Sequence, residues 1–159
     1  MSTKLTADEI LRMAQRLEEK GARYYRKAAK LHVAGRELLN RIAGQEDQHY
    51  QFFEDMRRSL TPAEKPEGED PYGDLAPYLD AMVDHLKIQI NQSPEDALTG
   101  REPLADILRA AIQMEKDAVL FYSGLRDAAA PALGRKRLDD IIHEEMRHIV
   151  WLSAQAKAS

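Results

Sequence analysis

The sequence predicts an all-α fold: an antiparallel bundle of four long helices with a long crossover that carries a short extra helix. Three observations predict it. Apolar residues recur at helical spacing through four long segments, and no segment sustains the period-two alternation of a strand. Ala, Leu, Glu, Lys and Arg are abundant while aromatics are only 6% of the chain, a mix that favours helix. Most of the eight Gly and seven Pro fall between the periodic segments. At 159 residues and 43% apolar content, one domain with a real core is expected over 1–159.

The first helix is expected over residues 6–31, opened by the capping box Thr6-Ala7-Asp8-Glu9. The second is expected over 36–60. A Pro-, Gly- and acid-rich stretch over 61–74 follows. Asp74 then stands as the cap of a shorter amphipathic helix over 75–90, with Leu75, Leu79, Met82, Leu86 and Ile90 on one side. Pro77 falls in its first turn, where no amide bond is lost. After a loop over 91–102, Pro103 suits the first position of a helix over 103–129. Pro131 and Gly134 punctuate the next turn, and the last helix runs over 135–156. Two helices, a long connection and two more helices make a bundle with one crossover.

The core faces carry a repeat. Leu11, Ala14, Glu18, Gly21, Tyr25 and Ala28 step by 3, 4, 3, 4, 3 along one helical face. Leu108, Ala111, Glu115, Ala118, Tyr122 and Leu125 take the same steps, each 97 residues later. Leu39, Ile42, Glu46, His49, Phe53 and Met56 are followed 99 residues on by Leu138, Ile141, Glu145, His148, Leu152 and Gln155. Each half is thus a helical hairpin bearing a Glu and then Glu-x-x-His. Height agrees as well: the midpoint of Glu18 and Glu46 is residue 32, and that of Glu115 and Glu145 is residue 130, each at a turn. In an antiparallel hairpin, positions equidistant from the turn lie level. Residues i and i+3 share a face, so each Glu-x-x-His converges on the partner Glu.

Such a cluster is expensive. Each unpaired buried charge costs at least several kcal/mol, and six would exceed the ~5–15 kcal/mol of a typical domain's stability. These stripes hold no Lys or Arg. Either some carboxylates are protonated or cations lie between them. Two divalent ions would neutralise four carboxylates and leave neutral His as ligands. Oxygen-rich ligation with one imidazole per ion suits Fe or Mn, with Zn in competition.

Glu18, Glu46-Asp47-Gln48-His49, Glu115 and Glu145-Met146-Arg147-His148 resemble the ferritin-like di-iron carboxylate proteins. The stretches LEEKGARYY around Glu18 and MEKDAVLFY around Glu115 are most similar to the rubrerythrin group, and the resemblance spans nearly the whole chain. It implies a ferritin-like bundle, two irons and reaction with peroxide or dioxygen. It also implies that Glu46 and Glu145 bridge the ions, with Glu18 and His49 completing one and Glu115 and His148 the other. Tyr25 and Tyr122 would donate hydrogen bonds to the carboxylates. The chain departs from the group in having no Cys, so the rubredoxin-type four-Cys domain is missing and an external protein would donate electrons. It has Ala118 where rubrerythrins carry an extra Glu, which puts peroxide-linked iron movement in doubt. The chain ends at Ser159, without the fifth helix of storage ferritins, so a storage cage is not expected. Asp47 replaces the haem-binding Met of bacterioferritins, so no haem is expected.

Other residues are read as lying outside the site. Asp140 and His143 fall off the stripe, His32 is at a turn, and His85 sits on the surface of the crossover helix. Glu19, Asp117 and Glu144 are expected to point into solvent, so Glu144→Ala should do little. Placing the four site Glu inside leaves 23 acidic against 23 basic residues. That balance gives no basic stripe for nucleic acid. No apolar run reaches a membrane span and no apolar leader opens the chain, so the cytoplasm is the default compartment. A homodimer is expected, with the apolar side of 75–90 covering either the bundle or a second subunit. The functional expectation is a rubrerythrin-like peroxidase or ferroxidase. The alternatives are a di-iron hydroxylase of an organic substrate and a non-enzymatic metal buffer.

Overall fold

A computed structural model describes residues 7–60, 75–90, 93–128 and 134–159. Among them the chain forms α1 (Ala7–Leu31), α2 (Arg36–Ser59), α3 (Leu75–Ile90), α4 (Leu104–Ala128) and α5 (Arg135–Ala158), with 3-10 turns at Val33–Gly35 and Pro94–Ala97 and no strand. This is the all-α bundle the periodicity predicts, with helix ends within two residues of expectation. Thr6, Asp74 and Pro131 lie outside the described residues. Pro103 stands just before α4 rather than in its first turn: its carbonyl accepts from the Asp106 amide at 3.0 Å and the Ile107 amide at 3.4 Å, opening the helix. Gly134 opens α5 at a φ of 79°, a left-handed conformation that L side chains rarely adopt.

α1 packs chiefly along α2, and α4 along α5, as two helical hairpins. Between α1 and α2 the chain reverses in one 3-10 turn, with the His32 amide closing on the Ala28 carbonyl at 2.9 Å and Arg36 Nε on the Ala29 carbonyl at 3.0 Å. The Pro94–Ala97 turn, which the sequence did not announce, packs on α1, and Lys27 Nζ donates to the Glu95 carbonyl at 2.6 Å.

Every residue of the four core stripes is buried except Ala118 and Gln155, which are half-buried. The apolar core forms two clusters. One holds Leu11, Phe53, Leu86, Phe121, Leu138 and Ile141 among others, at the end where α1 begins and α4 finishes. The other holds Tyr24, Ala28, Leu39, Ile42, Leu108 and Leu152 among others, at the opposite end. The Glu and His positions fall between them.

α3 answers part of one open expectation. Leu79, Val83 and Leu86 are buried against the bundle, with contacts to α4 and α1. Leu79 and Leu86 of the crossover's apolar side are therefore covered within the chain; the side chains of Leu75 and Ile90 lie outside the described residues. Gly124 makes this contact possible: a Cβ there would lie 2.5 Å from Tyr78 Cε1 and 3.0 Å from Leu79 Cδ2. Tyr78 in turn donates its hydroxyl to the Leu120 carbonyl at 2.6 Å. Gly124→Leu improves helix propensity by somewhat under 1 kcal/mol. Overpacking against Tyr78 opposes this by about 1–3 kcal/mol. The expected net result is a lower midpoint of chemical denaturation, read by circular dichroism; an unchanged or raised midpoint contradicts the docking of α3 on α4.

Candidate metal centre

Mid-bundle, four helices each contribute to one buried cluster: Glu18 from α1, Glu46 and His49 from α2, Glu115 from α4, and Glu145 and His148 from α5. All six are at most 4% exposed. Their ligand atoms form two overlapping sets, one of Glu18, Glu46, His49 and Glu145, the other of Glu46, Glu115, Glu145 and His148, with the atoms of each set within 4.8 Å of one another. Glu46 and Glu145 belong to both. The structure thus brings together all six residues that the sequence selected.

The distances repeat across the two halves. His49 Nδ1 lies 2.9 Å from Glu145 Oε1, 3.4 Å from Glu18 Oε2 and 3.9 Å from Glu46 Oε2. His148 Nδ1 lies 2.9 Å from Glu145 Oε2, 3.2 Å from Glu46 Oε1 and 3.6 Å from Glu115 Oε1. These approaches are close but are not aligned as hydrogen bonds. Glu18 Oε2, Glu46 Oε1, both oxygens of Glu145 and both His Nδ1 atoms are buried and accept or donate none. Buried polar atoms are rarely left so. Donors held roughly 2.1 Å from a shared ion stand about 3–3.5 Å apart, close to these separations. The donor set and its orphaned atoms fit two divalent cations.

The outward-facing atoms are engaged. Tyr25 on α1 donates its hydroxyl to Glu115 Oε1 on α4, and Tyr122 on α4 donates to Glu18 Oε1 on α1. The expected tyrosine donors are present, each serving the glutamate of the opposite hairpin. His49 Nε2 is 2.6 Å from Glu144 Oε2, and His148 Nε2 is 3.0 Å from Gln45 Oε1. Arg137 donates to the other oxygen of Glu144 at 3.0 Å. Trp151 lies against His148 at 5.9 Å between ring centroids, with the Arg41 guanidinium 4.2 Å over its ring.

Two expectations about neighbouring residues change, and one residue is new. Glu144 is not solvated: its side chain is 23% exposed and turned onto His49, so Glu144→Ala is no longer expected to be silent. Asp117 is buried, accepting from Gln113 at 3.1 Å and lying 3.8 Å from His85 Nε2. Gln45 escaped notice altogether. Its position relative to Glu46 is that of Glu144 relative to Glu145, so the repeat held the signal. Glu19 is exposed and paired to Arg23, and Asp140 and His143 are exposed, as expected.

On the side away from the imidazoles, a cavity of about 130 Å³ opens between α1 and α4. Leu17, Lys20, Met114, Ala118 and Pro94 line its walls, and Glu18, Glu46, Glu115 and the two tyrosines also border it. Gly21 helps keep it clear, since a Cβ there would sit 3.6 Å from Glu46 Oε2.

The rubrerythrin family model matches residues 9–156. The chain belongs to the rubrerythrin family. No curated protein and no solved structure matches it. The family is one of ferritin-like di-iron carboxylate proteins, in agreement with the buried carboxylate–histidine cluster.

Without metal, the cluster must hold protons. Burial pushes Glu115 up to about 8, reinforced by the Glu145 charge, and Glu46 rises well above the ordinary range through burial and the charges of Glu145 and Glu18. Burial opposes charge on His49, yet Glu145 and Glu18 outweigh it and lift the ring to about 11. Against the same opposition, Glu115 and Glu145 lift His148 to about 9. Burial would raise Glu145 as well, but the two imidazoles hold it below the usual range. For the four raised groups the folded state keeps protons that the unfolded chain gives up. Their contribution is fully present below the unfolded values of 4.5 and 6.5 and is lost as pH rises through the folded values. Glu145 works oppositely and matters only below its unfolded value of 4.5. Chelator-treated protein is therefore expected to melt at progressively lower temperature from about pH 5 to about pH 9. Added Mn(II), which displaces those protons, should stabilise more over the same range. Scanning calorimetry reads both trends, and a midpoint that climbs with pH in chelator contradicts the protonated cluster.

Proposed function

We propose that this rubrerythrin-family chain is a di-iron carboxylate oxidoreductase that reduces peroxide or dioxygen, acting as a peroxidase or ferroxidase. The carrying observation is the pair of overlapping four-residue donor sets that share Glu46 and Glu145. In this reading Glu18 and His49 complete one ion and Glu115 and His148 the other, with Mn or Zn as competitors for iron. When bound there, an iron pair would supply the two electrons that reduce hydrogen peroxide, with two protons, to two waters. The chain's own groups do the rest. Glu46 and Glu145 fix the separation of the two positions. Tyr25 and Tyr122 hold Glu115 and Glu18 in place by their hydroxyl protons, and burial together with those carboxylates keeps both phenols protonated well above their ordinary value. The mainly apolar walls of the cavity, with Lys20 among them, limit water around the carboxylates and leave a path for a small oxidant. We assign re-reduction to an electron-donor protein outside these 159 residues, which hold no Cys to bind a further redox iron. We place the protein in the cytoplasm as a single domain.

A second reading, hydroxylation of a small organic substrate, is favoured by one feature: the cavity is larger than peroxide needs and approaches the volume of a ~150 Å³ apolar void that takes up benzene.

Anaerobic reconstitution with Fe(II) is expected to give two irons per chain by elemental analysis. Stopped-flow mixing with peroxide should oxidise them much faster than free ferrous iron. Oxidation no faster than the free ion, with two metals bound, would leave a metal buffer rather than an enzyme. Glu46→Ala removes a donor common to both positions and should abolish the two-metal state. Tyr25→Phe should leave two metals bound.

A further inference from the structure

Beyond the six donors, the two halves of the centre differ. Moving 99 residues along the chain carries Glu46 to Glu145, His49 to His148 and Gln45 to Glu144. The residue before each shared glutamate crosses to the facing helix and takes the Nε2 of the other half's histidine. In one half the acceptor is a carboxylate, Glu144 Oε2, 2.6 Å from His49. In the other it is an amide, Gln45 Oε1, 3.0 Å from His148. Glu and Gln have the same length, so the repeat holds the backbone constant and changes only the chemistry.

Both acceptors are oxygens, so each ring places an N–H on Nε2, and once a cation displaces the second proton the Nδ1 lone pair faces the cluster. The bonds are not equally strong. A carboxylate accepts a charge-assisted bond about twice as strong as an amide's, and such a bond makes the opposite ring nitrogen a better donor to a metal. The carboxylate is also anchored, with Arg137 holding its second oxygen at 3.0 Å. The residue 99 earlier is Leu38, so the amide half has no equivalent cation at that position. One half thus contains a chain of charged hydrogen bonds, Arg137–Glu144–His49, and the other a single neutral acceptor.

We propose that the two metal positions are inequivalent. The position built on His49 and Glu18 fills first and holds its ion more tightly, and Glu144 is the positioning residue that sets the difference. The inference rests on the two-metal reading above, and it assigns an order within that pair that the six donors alone do not give.

Anaerobic calorimetric titration of chelator-treated protein with Co(II) tests it. Two resolved steps are expected for the unaltered chain. Glu144→Gln, which keeps length and hydrogen bonding, should weaken the tighter step toward the lower end of the about 10–100-fold range for outer partners of metal-bound histidines and leave the weaker step in place. Gln45→Glu should tighten the weaker step instead. The double exchange should reverse which imidazole shows the paramagnetically shifted Nε2–H proton signal at one equivalent of Co(II). Repulsion between two ions in equivalent positions would also separate the steps, but it predicts no selective response to either exchange, and that result overturns the inference. A loss that weakens both steps together marks a merely structural role and also overturns it. Two bound ions with no selective response refute the order while leaving the two-metal reading intact; fewer than two ions in the unaltered chain refutes both.

Discussion

The structure depends on four carboxylates and two imidazoles held away from water in the middle of a helical bundle. Burial of that density of charge is unfavourable by several kcal/mol per unpaired ion, and the rest of the molecule is arranged around it. The apolar core is divided, with Phe53, Phe121 and Leu138 on one side and Leu39, Leu108 and Leu152 on the other, so both ends of each hairpin stay packed while the middle stays polar. The atoms that face outward from the cluster find partners: tyrosine hydroxyls on Glu18 and Glu115, and side-chain oxygens on both His Nε2 atoms. The inward atoms find none. A cluster selected only for stability would satisfy both sets or replace them with apolar residues. Leaving one consistent set of inward donors unpaired is what a site for cations requires.

The twofold relation between hairpins explains why so few kinds of residue suffice. A single helix cannot surround a cation, but a Glu on one helix and Glu-x-x-His on its partner supply half a shell, and the second hairpin supplies the remainder. Cross-hairpin bonds then fix the two halves to each other. Tyr25 reaches Glu115 and Tyr122 reaches Glu18, while Gln45 and Glu144 span α2 and α5. Hydrogen bonds between the hairpins, together with the two apolar clusters built from both, thereby set the spacing of the donors. The repeat is also where the halves diverge, because a Gln-for-Glu difference leaves the geometry alone and alters only the strength of one bond.

Much of this was legible in the sequence because it is carried by spacing. Steps of 3 and 4 fix a helical face, and two equal offsets fix the pairing of four faces. The distance of each Glu from its turn fixes height. Those three constraints placed Glu18, Glu46, His49, Glu115, Glu145 and His148 together. Spacing says nothing about where a residue just off the face ends up. Glu144 sits one residue from the stripe, about 100° round its own helix, which suggests solvent; the facing α2 brings His49 within its reach. Asp117 is similar, since the contact that buries it involves a crossover helix whose placement the periodicity did not give. Val83 joined the core for that reason too, and the Pro94–Ala97 turn has too few residues to show any period.

The two faces of the cluster are closed to different degrees, and this gives the chemistry a direction. On the imidazole side Glu144 and Gln45 engage the rings, backed by Arg137 on Glu144 and by Trp151 against His148 with Arg41 over it. On the glutamate side the positions one turn beyond Glu18 and Glu115 are Gly21 and Ala118, the cavity reaches the carboxylates, and its walls are mostly apolar apart from Lys20. A longer or charged side chain at either small position would fill that space or contribute another oxygen to the ring of donors. With glycine and alanine there, the terminal carboxylates are held by tyrosines rather than by a competing acid, and a neutral molecule of a few heavy atoms meets them before it meets a histidine. Small residues at those two positions, as much as the six donors, decide what can enter the site and from which side.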